Sequence, residues 1–416
     1  MEAALQALID HTQASCGLED YVLKRHHIFH SAQEGYLFST EWFPANTESD
    51  DSGSNPPGTA VVHIDFHSKA LKSLVFVKEQ SFAKEGTLPG NVKDQLLDWI
   101  EEETDMMYGR QFQLASETAH TLHFRASIDH MPVAPSGTID VKFNDQGQLV
   151  LFSIKGIFPD ETKIDWEPFA LTAEATEPIA NNACTLVDVP VEKAEAWIPC
   201  YQINPVFVTN DGKTVFSAED VNQYPVYIPK DEILSWEGHA SGILQKRKIN
   251  LDDTVTFEQA LAAKAHPDIA PIRAELEAVY KAEVTRVMQL EYPNESGQWK
   301  LTALYREHGH VIAIVHPTED RSALKHRIKI IMDPEGDEVN MVDNKFLFQL
   351  LANFKPAEPA KLSTEAAYQL LKPHIESEAV YVYNRKTGQY HVHAHITCPY
   401  AVNAITGELL KTSEIL

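Results

Sequence analysis

Stretches alternating apolar and polar residues with a period of two recur along this 416-residue chain, separated by segments with the 3.6-residue period of an amphipathic helix. That succession excludes both an all-helical bundle and an all-strand sandwich. In Gly137-Thr138-Ile139-Asp140-Val141-Lys142-Phe143, Ile139, Val141 and Phe143 fall on one face while Asp140 and Lys142 fall on the other. The turn Asn144-Asp145-Gln146-Gly147 and the run Gln148-Leu149-Val150-Leu151-Phe152 complete an antiparallel meander. Before it, residues 91–100 place Val92, Leu96, Trp99 and Ile100 on one helix face.

A hydroxyl that can cap free amides, with a carboxylate two residues on, opens a predicted helix at Thr172, Thr256 and Ser363. Thr256 and Gln259 also have capping-box spacing. Strand pairs follow the second and third of these: 299–305 with 311–315, and 379–383 with 390–396. The expectation is an α+β fold of tandem modules, each a helix packed on a small antiparallel sheet. Its divisions are 1–88, 89–165, 166–250 (a third module or a connecting segment), 251–355 and 356–416. Within it, 91–156, 256–350 and 363–416 each lay a helix across an antiparallel sheet. Residues 45–58 lie between the strand-like runs 35–43 and 59–66, and Ala45 is their one hydrophobic residue apart from Pro and Gly. They read as a long, removable hairpin tip.

The formal charge of −25 disfavours a nucleic-acid partner, and 44% hydrophobic residues suit a folded chain. No cationic leader and no run of about 20 apolar residues is present. Cys16, Cys184, Cys200 and Cys398 form no C-x-x-C pair, so a cytoplasmic, reducing location is expected. Cys184 and Cys200 read as small buried hydrophobes.

The ending Tyr400-Ala401-Val402-Asn403-Ala404-Ile405-Thr406-Gly407-Glu408-Leu409-Leu410 resembles the close of PepSY-like modules, and the meander from Asp129-His130-Met131-Pro132-Val133 onward is similar to repeats of the YcdB/YcdC type of bacilli. His130 stands where that pattern has glycine, and Asn403 where the ending usually has aspartate. The resemblance implies PepSY-like modules at 89–165, 251–355 and 356–416. Since such relatives are found in protease propeptides and cell-envelope proteins, it implies binding or inhibition of a protein or peptide. Without any function, Thr406-Gly407 still explains itself as a turn, Gly407 supplying the left-handed backbone.

His391, His393 and His395 alternate with Val392, Ala394 and Ile396, which puts three imidazoles on one strand face. Three neutral imidazoles can hold zinc and leave a position for water, so the alternative to a binding protein is a metal-assisted hydrolase built on this strand. Residues i and i+2 stand about 7 Å apart, so a neighbouring strand must supply a ligand. The preferred reading is therefore a solvated sheet face, with no catalytic residue and no cofactor assigned. His26, His27 and His30 form a second group with His63, Asp65 and His67, in which His and Asp approach if the two strands pair. His308-Gly309-His310 reads as a hairpin turn and Glu101 to Asp105 as a solvated helix end. No G-x-S-x-G, H-E-x-x-H or G-x-x-x-x-G-K-[ST] motif occurs.

Overall fold

The computed structural model describes residues 2–47, 54–222, 224–238, 240–244, 246–249 and 251–415. Its mixed α+β chain divides into two compact units: Met1–Trp166 with Asp252–His266 and Tyr381–Tyr390, and Glu167–Leu251 with Pro267–Val380 and His391–Leu416.

In the first unit, α1 (Glu2–Ser15) precedes an antiparallel meander of β1 (Tyr21–Ser31), β2 (Gly35–Pro44), β3 (Ala60–Asp65) and β4 (Leu71–Phe76). Next come α2 (Lys93–Thr104), β5 (Phe112–Glu117), β6 (Thr121–Ile128), β7 (Met131–Ala134), β8 (Thr138–Phe143) and β9 (Leu149–Lys155). Leu74 of β4 faces Phe152 of β9, so the order is β1-β2-β3-β4-β9-β8-β6, with β5 also on β6. Ile139, Val141 and Phe143 are buried as their alternation requires, in one core with Phe38, Trp42, Val62 and Leu74. Leu8 from α1 and Leu96 and Ile100 from α2 join that core. Burying each such side chain is worth about 1.5–3 kcal/mol, enough to fix which sheet face turns inward.

Residues 48–53 of the expected removable tip lie outside the described residues, but the ends of that segment are built in. The Ala45 amide donates to the Asp20 carbonyl and the Gly58 amide to that of Val77. Gly58 has φ +81°, and a Cβ there would meet the Phe82 ring at 2.4 Å. Gly58 is thus a packed turn residue that a shortened tip would have to keep.

The second unit begins with α3 (Ala173–Asn182), β10 (Cys184–Val191), β11 (Ala196–Ile203), β12 (Val206–Thr209), β13 (Val215–Ser217) and β14 (Tyr227–Leu234). The chain then gives the first unit β15 (Thr254–Val255), paired with β1, and α4 (Phe257–Leu261). Thr256 and Gln259 do form a capping box, but it starts this five-residue helix. The helix laid over the strands that follow is α5 (Glu277–Glu291), entered through Leu276 with no side-chain cap. β16 (Trp299–Glu307), β17 (His310–Pro317), β18 (Ile328–Met332) and β19 (Glu338–Asp343) complete an antiparallel sheet of order β14-β16-β17-β18-β19. Tyr280, Val284, Val287 and Met288 of α5 close one face of it.

After α6 (Lys345–Leu350) and α7 (Thr364–Leu371) come β20 (Glu376–Asn384), β21 (Gln389–Thr397), β22 (Tyr400–Asn403) and β23 (Leu409–Lys411). The expected caps are formed: Thr172 accepts from the Ala175 amide and Ser363 from that of Ala366. In the turn at 403–408, the Asn403 side chain accepts from the amides of Ile405 and Thr406, and Gly407 has φ +79°.

The C-terminal stretch, expected as a helix laid over its own sheet, also pairs with strands earlier in the second unit. α7 is eight residues long and buries Ala367, Tyr368 and Leu371 against Tyr201, Val208, Ile396 and Val402. Pro399 lacks an amide to continue the β21 ladder, and the chain leaves that sheet to pair β22 with β11. The exchange is reciprocal. Cys200, Tyr201 and Gln202 face Asn403, Val402 and Ala401, while His393, Ala394 and His395 face Thr209, Val208 and Phe207. Laying Cys200 on His393 and Thr209 on Asn403 turns one set of pairs into the other.

Among the described residues, no helix is long and apolar enough to cross a membrane. All four cysteines are buried thiols, and burial pushes Cys184 and Cys200 up to about 11.

Candidate functional site: an aromatic and cationic groove

The three histidines of β21 do share a face, with Val392, Ala394 and Ile396 fully buried on the other. The face is not simply solvated, since His393 is only 5% exposed. Its Nδ1 donates to the His391 carbonyl at 2.8 Å and Phe216 lies beside it. Burial lowers its pKa, against the raising effect of that bond, so the ring is held neutral. His395 stacks on Phe207 with centroids 4.4 Å apart and has Glu378 at 3.6 Å. The neighbouring β12 thus offers a hydroxyl opposite His393 and a phenyl ring opposite His395. Among the described residues, no group of three or more His, Cys, Asp and Glu is arranged to hold a metal ion.

The second histidine group is also rearranged. β2 lies between β1 and β3, so those two strands do not pair and Asp65 meets no imidazole from β1. Its carboxylate instead accepts from the amides of His67 and Ser68 and from the Ser68 hydroxyl, closing the turn after β3. His30 stacks on Tyr36 at 3.8 Å and meets His266 edge-on at 4.7 Å. His308-Gly309-His310 is the expected turn, its Gly309 amide donating to Asp268.

A concave feature lies in the second unit, on the face of the five-stranded sheet away from α5. A one-residue bulge at Thr302 creates it. Trp299, Leu301 and Leu304 belong to the core under α5, whereas Ala303 and Tyr305 turn to the opposite face. Ile312, Ile314 and Ile331 continue that outer face, and Tyr224 and Tyr227 pack on it. The resulting groove has a volume of about 470 Å³. Tyr224 and Tyr305 approach to 4.0 Å between centroids, and the Lys329 ammonium lies 5.7 Å from the Tyr305 ring while pairing with Glu307. Burial raises the Tyr305 phenol, which stays a hydrogen-bond donor.

The polar side of the groove is held from its backbone. Asn344 accepts from the Arg327 amide at 2.8 Å and donates to the Lys325 carbonyl at 3.0 Å. That clamp presents Lys325 and Arg327 at the groove, and among the described residues no carboxylate pairs with the Arg327 guanidinium. His316 donates Nδ1–H to the His326 carbonyl at 2.9 Å, and burial lowers its pKa, leaving Nε2 as a neutral acceptor. The arrangement offers stacking surface, phenolic donors, the cationic groups of Lys230, Lys325 and Arg327, and the carboxylates of Glu219 and Asp220. Ser217 and Asp220 also line it, the Ser217 hydroxyl donating to the Asp220 carboxylate at 2.7 Å within a helix capping box.

Sequence reasoning missed the groove because Tyr224 and Tyr227 lie in a stretch without periodicity and the bulge has no local signature. The irregular alternation of Leu301, Ala303, Leu304 and Tyr305 was the available signal.

No family model matches the chain, and no curated protein matches it. Among solved structures, it is similar to the Bacillus megaterium YpeB C-terminal domain at 10% identity, covering 51% of this chain and 96% of that one, with a TM-score of 0.27. A structure described under the GH130 family of mannoside phosphorylases aligns at 8% identity over 91% of this chain and 86% of that one, with a TM-score of 0.11.

Proposed function

We propose that the chain is a non-enzymatic binding protein of PepSY-like modules that captures an extended acidic peptide on the outer face of its five-stranded sheet. The observation that carries this reading is the groove, where Tyr224, Tyr227 and Tyr305 surround a surface edged by Arg327, which among the described residues has no carboxylate partner. Tyrosine and arginine are the side chains that most often dominate peptide and protein binding. Lys230, Lys325 and Arg327 outnumber Glu219 and Asp220 on the lining, and against a chain of charge −25 that local excess favours an acidic segment. The modular reading is supported by α2 over β6, β8 and β9, by α5 over its own sheet, and by the reciprocal register of β11 and β12 with β22 and β21. Four buried thiols suit a reducing, cytoplasmic setting.

Fluorescence anisotropy with labelled acidic, neutral and basic peptide pools tests the proposal. Acidic peptides are expected to bind, more weakly as salt rises. Arg327→Gln is expected to weaken binding about tenfold or more, the worth of one charged hydrogen bond. Tyr227→Ala is expected to act in the same direction. Equal binding of all three pools, or affinity untouched by both substitutions, sinks the reading.

A further inference from the structure

Between α2, the turn joining β8 to β9 and the segment 81–90 lies a cavity of about 790 Å³, within the range of small-ligand sites. Backbone hydrogen bonds fix its walls. The Lys84 amide donates to the Gly17 carbonyl at 2.8 Å, the Thr87 amide to that of Lys84 at 3.3 Å and the Asn91 amide to that of Gly147 at 3.2 Å. A cavity framed in this way is preorganised, so a ligand entering it has little chain to order.

The lining is polar and close to neutral. Lys84 and Glu85 are its only charged side chains, one of each sign, and Lys84 pairs with Glu19 at 3.4 Å. The remaining polar side chains, Ser81, Thr87, Gln95, Gln146 and Gln148, are uncharged. Gln95 and Trp99 stand four positions apart on α2 and therefore side by side on one face, while Gln146 and Gln148 flank Gly147 in the turn opposite. Among the described residues, the side chains of Gln95 and Gln146 have no hydrogen-bond partner, and nothing accepts from the Trp99 Nε1–H. Gln148 Oε1 accepts from the Asn144 side chain at 3.0 Å, which leaves its own N–H groups to give. Ser81, 9% exposed, accepts from the Ala83 amide at 3.3 Å and likewise keeps a proton to donate. The Trp99 ring meets Phe152 edge-on with centroids 4.8 Å apart and stays partly exposed.

A side-chain amide both gives and accepts, as a hydroxyl does, whereas an ammonium only gives and a carboxylate only accepts. Three amides, two hydroxyls and an indole around one cavity match a ligand that is densely hydroxylated and uncharged. The tryptophan ring, with Leu88 and Pro89, matches the C–H face of such a ligand. We infer that this cavity binds a neutral oligosaccharide, one sugar ring lying against Trp99 and its hydroxyls read by Gln95, Gln146 and Gln148. The site lies wholly in the first unit and does not rest on the peptide-binding proposal.

Isothermal titration calorimetry of the full chain tests the site with maltotriose, cellotriose, xylotriose and tri-N-acetylchitotriose. Trigalacturonate and triglucosamine serve as acidic and basic counterparts. At least one neutral trisaccharide is expected to bind saturably with a Kd below about 1 mM, and both charged ones at least about tenfold more weakly. Gln95→Ala/Gln146→Ala is expected to raise the Kd of that sugar about tenfold or more with little change in melting temperature, since both residues are exposed. Trp99→Phe keeps a ring against Phe152 but removes the indole N–H, and is expected to weaken binding about threefold or more. Glu85→Gln is expected to leave the affinity nearly unchanged. Absence of saturable binding by every neutral trisaccharide, equal binding of a charged one, affinity retained in the double glutamine variant or in Trp99→Phe, or a loss in Glu85→Gln as large as that in the double variant overturns the proposal.

Discussion

Asp343→Asn probes a shared polar contact of the second unit. The Asp343 carboxylate accepts from the Tyr292 hydroxyl, from His326 Nε2 at 2.9 Å and from the Lys345 amide at 2.7 Å. Its side chain is 12% exposed and that of His326 20%, so solvent screens little of this. Burial by itself raises the carboxyl pKa, but the hydrogen bonds to Tyr292, His326 and the Lys345 amide outweigh it and the net direction is down. Asparagine removes the charge and puts two N–H donors where an acceptor stood, so at least one charged hydrogen bond is lost, at about 1.5–3 kcal/mol. For a unit of this size that lowers the melting temperature by roughly 3–10 °C at neutral pH. A carboxyl whose pKa is lower folded than unfolded contributes fully above the unfolded value, about 3.9, and loses its contribution as pH falls through the folded value. Scanning calorimetry of both proteins should therefore show a constant gap from pH 7 down to about pH 4 and a narrowing gap below it. Equal melting at pH 7, or a gap that widens on acidification, refutes the reasoning.

Three further outcomes are expected. His393 has a pKa lowered first by burial, so wild-type stability should fall as pH drops below about 6.5, and His393→Gln should remove that component in melts at pH 7.5 and 5.5. Gly58→Ala should cost about 1–2 kcal/mol in urea unfolding because alanine strains at positive φ, with the exposed Phe82 ring displaced to admit the Cβ. Asn403→Cys should form an oxidant-dependent disulfide with Cys200, its direct cross-strand neighbour, detectable as a linked peptide by mass spectrometry; linkage to any other cysteine contradicts the pairing of β11 with β22.

What the sequence made readable is what local chemistry dictates. Ile139, Val141 and Phe143 announce a half-buried strand because their spacing alone sets which face they share, and Thr172 and Ser363 announce helix starts because a cap needs residues only three positions apart. Thr256 shows the limit of that signal: its box forms as expected, yet the principal helix of that region begins at Glu277 after a leucine that caps nothing. Burial of Tyr280, Val284, Val287 and Met288 stabilises α5, and that term depends on strands not yet encountered in the chain. Pairing of β22 with β11 likewise joins residues about two hundred positions apart and leaves no trace within either strand.

The same distinction governs the sites. Single-strand alternation correctly put His391, His393 and His395 on one face, but it could not say that β12 covers them with Phe207 and Thr209 and so buries His393. Asp65 and His63 were singled out for their types, yet Asp65 is consumed by its own turn, while His63 joins a cross-strand row with Ser73, Ser153 and Asp140 only once β4 and β9 pair. A bulge shapes a sheet face in each unit, at Thr302 and at Lys72. Each turns a polar or aromatic side chain outward without disturbing the core residues around it, Leu301 and Leu304 in one case, Leu71 and Leu74 in the other. A bulge costs one unpaired residue in the ladder, so a bulge beside a polar cavity marks where the backbone geometry serves something other than the core.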